Sequence, residues 1–321
     1  MAGMESKDIK APPLSSGGGI LSSPHTPSIF VNFNEGFCVK HVFDFANKVT
    51  TEADILFSRD KMEICQSNPN KTVLIYFLAE EADILDYRYN VKHSDTVPVG
   101  INIVQMQKHL AGIKKAESII LEISSDFSMI TGSVPGGIGT ITIPTVKSKS
   151  MRYTLPAYTR ERENVKIKAC EMQDVFKSIS RTTYAFVRIL SYDRGVIVEA
   201  VTAGNSVSQR FPLGDPQPDE KVSSAVVSEP SVTPSGISLP TISGRSPTGA
   251  FAPGSVIAPN ETRLDKKIVD QLAKIAGMAP KASLVKMVHE PGKPFLIKCH
   301  VGSTGPFSIY IRTPKSSDPV S

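Results

Sequence analysis

Two stretches of this 321-residue chain follow one plan, so any fold it adopts must contain the same unit twice. The clearer copy is residues 165–204, VKIKACEMQDVFKSISRTTYAFVRILSYDRGVIVEAVTAG. Val165 and Ile167 alternate with Lys166 and Lys168, which is the period of a strand. From Cys170 the spacing becomes helical: Met172, Val175, Phe176 and Ile179 form one stripe, and Asp174, Lys177 and Arg181 lie opposite. Residues 186–192 and 196–201 are two β-rich runs about Asp193-Arg194-Gly195, a turn in which glycine meets a positive φ cheaply. Residues 36–67 repeat this plan. Val39, Val42, Phe43, Ala46 and Val49 line one helix face, with Lys40, Asp44, Asn47 and Lys48 on the other. ILFSRDKMEIC from Ile55 then parallels ILSYDRGVIVE from Ile189.

Each half is predicted to hold a second helix. Residues 101–116 carry Ile103, Met106, Leu110 and Ile113 on an apolar side; residues 264–276 carry Leu264, Ile268, Leu272 and Ile275. The like order implies two similar domains, and the length suffices for two cores. No apolar run is long enough to cross a bilayer, and the opening residues lack a basic-then-apolar leader, so an intracellular protein with no membrane partner is expected. Cys38, Cys65, Cys170 and Cys299 have no paired spacing and read as buried, reduced thiols. The net charge of +5 permits a polyanionic partner without demanding one.

Residues 1–28 are rich in Ser, Gly and Pro and predict a disordered tail. The first domain is placed at 29–145, with Asn102 the N-cap of its second helix. Residues 146–164 (VKSKSMRYTLPAYTREREN) are polar and form the connector, with Tyr153, Leu155 and Pro156 an apolar island. The second domain spans 165–316. Within it, residues 214–261 are dominated by Pro, Ser, Gly and Thr and predict a disordered insertion. Residues 317–321 are a short tail.

Three segments in register with the repeat resemble the proliferating cell nuclear antigen (PCNA) family of DNA sliding clamps. GINIVQMQKHL (100–110) is similar to the family's second helix, and DRGVIVEAVTAG (193–204) to its β-turn-β followed by glycine. KPFLIKCHV and GPFSIYIRTPK, within 293–315, resemble its closing hairpin and terminal Ala-Pro-Lys, here Thr313-Pro314-Lys315. The resemblance covers about residues 29–316 and implies an α+β fold of two clamp domains, each with two helices on antiparallel sheets, and a ring, usually a homotrimer. It implies a processivity factor that encircles double-stranded DNA without reading its sequence and tethers polymerase and other replication and repair enzymes. A clamp loader is a possible further partner, the place of action is the nucleus or another intracellular site of replication, and the insertion and tail suggest a divergent clamp from a large DNA virus.

Carried over by position, the DNA-facing residues are Lys40, His41, Lys48, Lys108, Lys114, Lys115, Lys177, Arg181, Lys267 and Lys274. Such contacts go to phosphates. The plain alternative for any one of them is a solvated helix face. Asp44, Asp174 and Asp270 lie among these cations and dilute them. The resemblance places subunit-pairing edges at 138–146 and 205–213, which gives Ile138, Ile141, Ile143, Val207, Gln209 and Phe211 as interface candidates. A client pocket is implied at Tyr153, Leu155, Pro156, Pro294, Ile311 and Pro314, although Asn68 stands where the family usually has a large apolar residue. Tyr153 and Leu155 could equally serve only to pin the connector.

The sequence holds no phosphate-binding loop, metal spacing or catalytic constellation, and so predicts neither an enzyme nor a cofactor. Two other readings stay open. One is a monomeric or dimeric clamp-fold factor that holds DNA on one basic face; the other is a subunit of a hetero-oligomeric checkpoint clamp.

Overall fold

The structure is a computed structural model that describes residues 26–136, 140–149, 153–158, 165–192, 194–204, 207–214, 260–280 and 283–312. The first half runs β1 (Ile29–Phe33), α1 (Gly36–Val49), β2 (Glu52–Ser58), β3 (Lys61–Ser67), β4 (Val73–Glu80), β5 (Asp86–Tyr89), β6 (Thr96–Asn102), α2 (Ile103–Leu110), β7 (Ile119–Ile123), β8 (Met129–Ser133) and β9 (Thr140–Pro144). The second runs β10 (Val165–Lys168), α3 (Ala169–Ser180), β11 (Phe186–Ser191), β12 (Gly195–Val201), β13 (Val207–Gly214), β14 (Asn260–Leu264), α4 (Lys266–Leu272), α5 (Ile275–Met278), β15 (Leu284–Val288), β16 (Phe295–Val301) and β17 (Gly305–Ile311). The repeat is therefore real, and the α+β expectation holds.

The strands form three antiparallel sheets, ordered β5-β1-β7-β8-β9, β10-β15-β16-β17-β4-β3-β2-β6, and β13-β12-β11-β14. The eight-stranded sheet crosses between the halves where β17 pairs with β4, Phe307 opposite Phe77 and Ile311 opposite Val73. Alternation explains the faces. In β1 Ile29, Val31 and Phe33 are buried, and in β3 Met62 and Ile64. These inward rows and the helix stripes (Val39, Val42, Phe43 and Ala46 of α1; Met172, Phe176 and Ile179 of α3) share one hydrophobic core. It runs through both halves, with Phe45 of α1 edge-on to Phe307 of β17 at 5.4 Å. Burying each such side chain contributes roughly 1.5–3 kcal/mol.

The helices form a contiguous layer: α1 packs on α2, α3 on α4, and α5 touches both α1 and α3. Asn102 caps α2 as expected, its side chain accepting from the Gln105 N–H at 3.0 Å. Other boundaries differ. The second helix of the first half starts at Ile103 and stops at Leu110, because Ile101 belongs to β6 and Gly112 weakens continuation. Leu264 closes β14 and does not open a helix. The run beyond it breaks at Ala273 and Lys274 into α4 and α5. Gly214 and residues 260–261, assigned to the insertion, are strand residues of β13 and β14, while 215–259 lie outside the described residues. All four cysteines are free, but only Cys299 is buried; Cys38, Cys65 and Cys170 are partly exposed.

Candidate functional site

The layer of helices turns its apolar stripes to the sheets, so its free face carries whatever is polar. Lys48 of α1, Lys108 of α2 and Lys267 of α4 are exposed there. Lys274 is exposed at the α4–α5 break and Arg181 at the C-cap of α3, while Lys177 is half-buried. Lys114 and Lys115 are exposed in the turn after α2, not on the helix. Two of the three local acids are engaged by neighbouring side chains. Lys266 reaches Asp270 at 3.2 Å, and Gln107 donates to Asp44 at 3.0 Å. Burial works to raise Asp44, but hydrogen bonds from His41 and Gln107 outweigh it and hold its carboxyl below the usual range.

Two of the sequence-derived cations leave this set. His41 is wedged at the seam between α1 and α5. Its ring stands edge-on to Phe37 at 4.7 Å, its Nδ1 lies 3.4 Å from Asp44, and a Cβ added at Gly277 would come within 2.6 Å of its Nε2. Lys40 is half-buried and donates from Nζ to the Ala111 carbonyl at 2.6 Å, tying α1 to the end of α2. Both residues are spent on packing helices together.

The expected pairing edges are edges. β9 ends the five-stranded sheet and β13 ends the four-stranded one, so among the described residues each presents an unpaired backbone ladder. Val207 is exposed on β13 and Gln209 is half-buried, its Oε1 without a hydrogen-bond partner among the described residues. Pro212 supplies no donor to a further strand, which confines the free ladder to residues 207–211. Ile143 is buried in the core, and Ile141 and Phe211 pack against it. Ile143 is thus closed to a partner, while Ile141 and Phe211, half-buried like Gln209, keep exposed surface at the edges beside Val207. Ile138 lies outside the described residues.

On the far side of the eight-stranded sheet the connector crosses a groove. Val288, Leu296 and Tyr310 form a small second cluster, with Leu74, Tyr76, Leu155 and Tyr158 packed on it. Tyr158 stacks on Tyr310 with ring centroids 6.3 Å apart and donates its hydroxyl to the Pro294 carbonyl at 2.6 Å. Leu155 thus pins the connector, as the plainer reading had it. Three cavities meet at Tyr153: one of about 180 Å³ that reaches Pro156, Pro294 and Tyr310, one of about 400 Å³ over β2, β3 and β6, and one of about 270 Å³ between them.

Ile311 is a correction. It is 2% exposed in the main core and offers no anchor to a partner; Tyr310, one residue earlier, faces the groove. Period-two counting from Phe307 and Ile309 could have found this. Sequence reasoning also missed Tyr158, Lys71 and Arg312. Pro314 lies outside the described residues. Asn68 is spent on the turn: its Oδ1 accepts from the Thr72 and Val73 N–H groups at 2.8 and 2.9 Å, and its Nδ2 donates to Thr72 Oγ1. That clasp holds Lys71 at φ 54. Among the described residues no three His, Cys, Asp or Glu side chains converge as a metal site, and no helix is long and apolar enough to cross a membrane.

This architecture is that of the PCNA-type DNA clamps. The chain superposes on PCNA from Entamoeba histolytica with a TM-score of 0.63 at 12% identity, covering 90% of this chain and all of that one. It superposes on a PCNA2–PCNA3 complex chain from Sulfolobus tokodaii at 0.62 and 13%, covering 88% and 98%. The A. fulgidus PCNA solved with the C-terminal region of FEN-1 gives 0.61 and 13%, covering 90% and 100%. No protein-family model matches the sequence, and comparison with curated proteins finds no match. At such identities the likeness defines the fold, and it extends across both halves.

Proposed function

We propose that this chain is a sliding clamp: a processivity factor that closes into a homotrimeric ring around double-stranded DNA and tethers a polymerase and other client proteins. It performs no reaction of its own and acts where DNA is replicated. The observation that carries this reading is that, of the six sheet ends among the described residues, β9 in one half and β13 in the other end two different sheets where the resemblance expects pairing edges. An edge that pairs head to tail with the opposite edge of another copy generates a closed ring when the rotation closes. The helix layer would then line the hole, and Lys48, Lys108, Lys114, Lys115, Lys177, Arg181, Lys267 and Lys274 would meet phosphates. Binding would be independent of sequence and weakened by salt through counterion release. The A. fulgidus structure, in which the C-terminal region of FEN-1 is bound to PCNA, supports a role in tethering other proteins.

Light scattering should give a mass near three times 34.7 kDa. A proline at Val207 should release monomers, because it removes a ladder donor. On DNA, wild-type protein should stay on closed circles and slide off after linearisation. Changing Lys108, Lys177, Lys267 and Lys274 to Glu should abolish that retention while leaving melting nearly unchanged. Equal retention on circular and linear DNA would favour a monomer holding DNA on one basic face.

A further inference from the structure

The groove beneath the connector has opposite charge at its two ends. At one end Lys71 and Arg312 stand side by side, where β4 begins and β17 finishes. The Arg312 N–H donates to the Thr72 carbonyl at 2.8 Å, and the Asn68 clasp fixes Lys71 in its left-handed turn. Both cations are exposed, and the 180 Å³ cavity they flank has no carboxylate among its described lining residues. Its floor is Leu74, Pro294 and Tyr310.

At the other end, past Tyr153, the 400 Å³ cavity is lined by Asp54 and Glu63, with Lys61 the one cation among its described lining residues; the 270 Å³ cavity between the ends adds Glu52, Lys147 and Lys149, of which Lys149 pairs with Glu52 at 3.0 Å. Lys61 is already engaged by Glu63 at 3.4 Å, and Glu63 also accepts the Tyr76 hydroxyl at 2.7 Å. The Asp54 Oδ1 accepts the Lys149 N–H at 3.3 Å, but its Oδ2 is shielded from solvent and has no hydrogen-bond partner among the described residues. A buried acceptor left unsatisfied favours any ligand that brings a donor. Leu56, Pro98 and Leu155 give the same cavity apolar walls against which a long aliphatic stem can lie.

We infer that the partner of this groove is an extended peptide segment of fixed charge order. An acidic residue pairs with Lys71 and Arg312, an apolar or aromatic anchor sits over Leu74, Pro294 and Tyr310, and an Arg or Lys enters the Asp54–Glu63 cavity. The inference rests on the reading of the connector groove as a client site. What it adds is the composition and direction of the client. A peptide laid the other way places like charges together at both ends.

The test is selection of random 16-residue peptides displayed on phage against the full chain, followed by affinity measurement of the enriched peptides by fluorescence anisotropy. The expected peptides carry an acidic and a basic residue on opposite sides of an apolar anchor. Their affinity should fall about tenfold or more for Asp54→Asn/Glu63→Gln and again for Lys71→Glu/Arg312→Glu, as for loss of charge-assisted hydrogen bonds. Thermal melting of both double variants should match the parent, which separates lost contact from lost fold. Peptides that lose binding to Leu155→Ser yet ignore both charge variants would overturn the charge order and leave the client site standing. Enriched peptides that respond to no groove substitution would overturn both.

Discussion

Cys65 sits on the wall of the acidic cavity, its thiol pushed up to about 12 by burial and then by the charge of Glu63. Cys38, beside Glu35, and Cys299, in the core, are raised likewise to about 12. A thiol whose folded pKa lies above its unfolded value near 8.5 contributes stability that is present in full below that value. As pH rises from there through 12 that contribution is lost. Iodoacetamide at pH 8, read by mass spectrometry, should therefore modify these three slowly in the native protein and rapidly in denaturant, and thermal melting should fall steadily above pH 9. Fast native alkylation of Cys65 would show its thiol to be unperturbed. Tyr310 and Ile311 make the same point about neighbours on a strand, where adjacent residues face opposite sides. Ile311→Ala should cost about 2–4 kcal/mol in urea unfolding because it opens a cavity in the main core. Leu155→Ser, at a half-buried connector position, should cost less than about 1.5 kcal/mol. Comparable losses would place both residues in the core.

Elements that announce themselves by period were legible in the sequence. The α1 stripe, the α3 stripe and the hairpins at 52–67 and 186–201 emerge where the alternation puts them. What was hidden depended on distant partners. The strand β6 reads as a lead-in to a helix, yet it is held by β2 over its whole length, from Glu52 opposite Asn102 to Ser58 opposite Thr96. The strand β14 follows a low-complexity run, and its pairing with β11 is what makes residues 260–264 a strand. The site was legible to the same degree. Lysines on helices declare an exposed face, but nothing local says that Lys40 will reach the Ala111 carbonyl or that His41 will meet Gly277 across the seam. Asn102 is the opposite case, a local signal that the structure uses as written. Asn102→Ala should lower stability by about 1 kcal/mol through loss of the cap, whereas Asn102→Asp should be nearly neutral. Equal loss from both would mean that the residue matters through its place in β6.

The whole molecule is tied together where its two halves meet. The pairing of β17 with β4 merges strands of both halves into one eight-stranded sheet, and α1 packs against β3 and β4 of its own half and β16 of the other. Glu35 at the head of α1 accepts the Ser303 N–H at 3.1 Å from the turn between β16 and β17. A junction of this kind holds the β9 and β13 edges at a fixed angle, as the ring proposed above requires. Gly305 is the residue on which the junction turns. Its φ is 145°, outside the usual range of L side chains, and a Cβ there would fall 2.2 Å from the Leu78 carbonyl oxygen on β4. Backbone cannot yield at that distance as a flexible side chain could, so Gly305→Ala must pull β17 away from β4. Wild-type protein should unfold in a single calorimetric transition, because one core spans both halves. Gly305→Ala should unfold in two. A single transition in the variant, at an unchanged temperature, would mean that β4 and β17 do not hold the halves together.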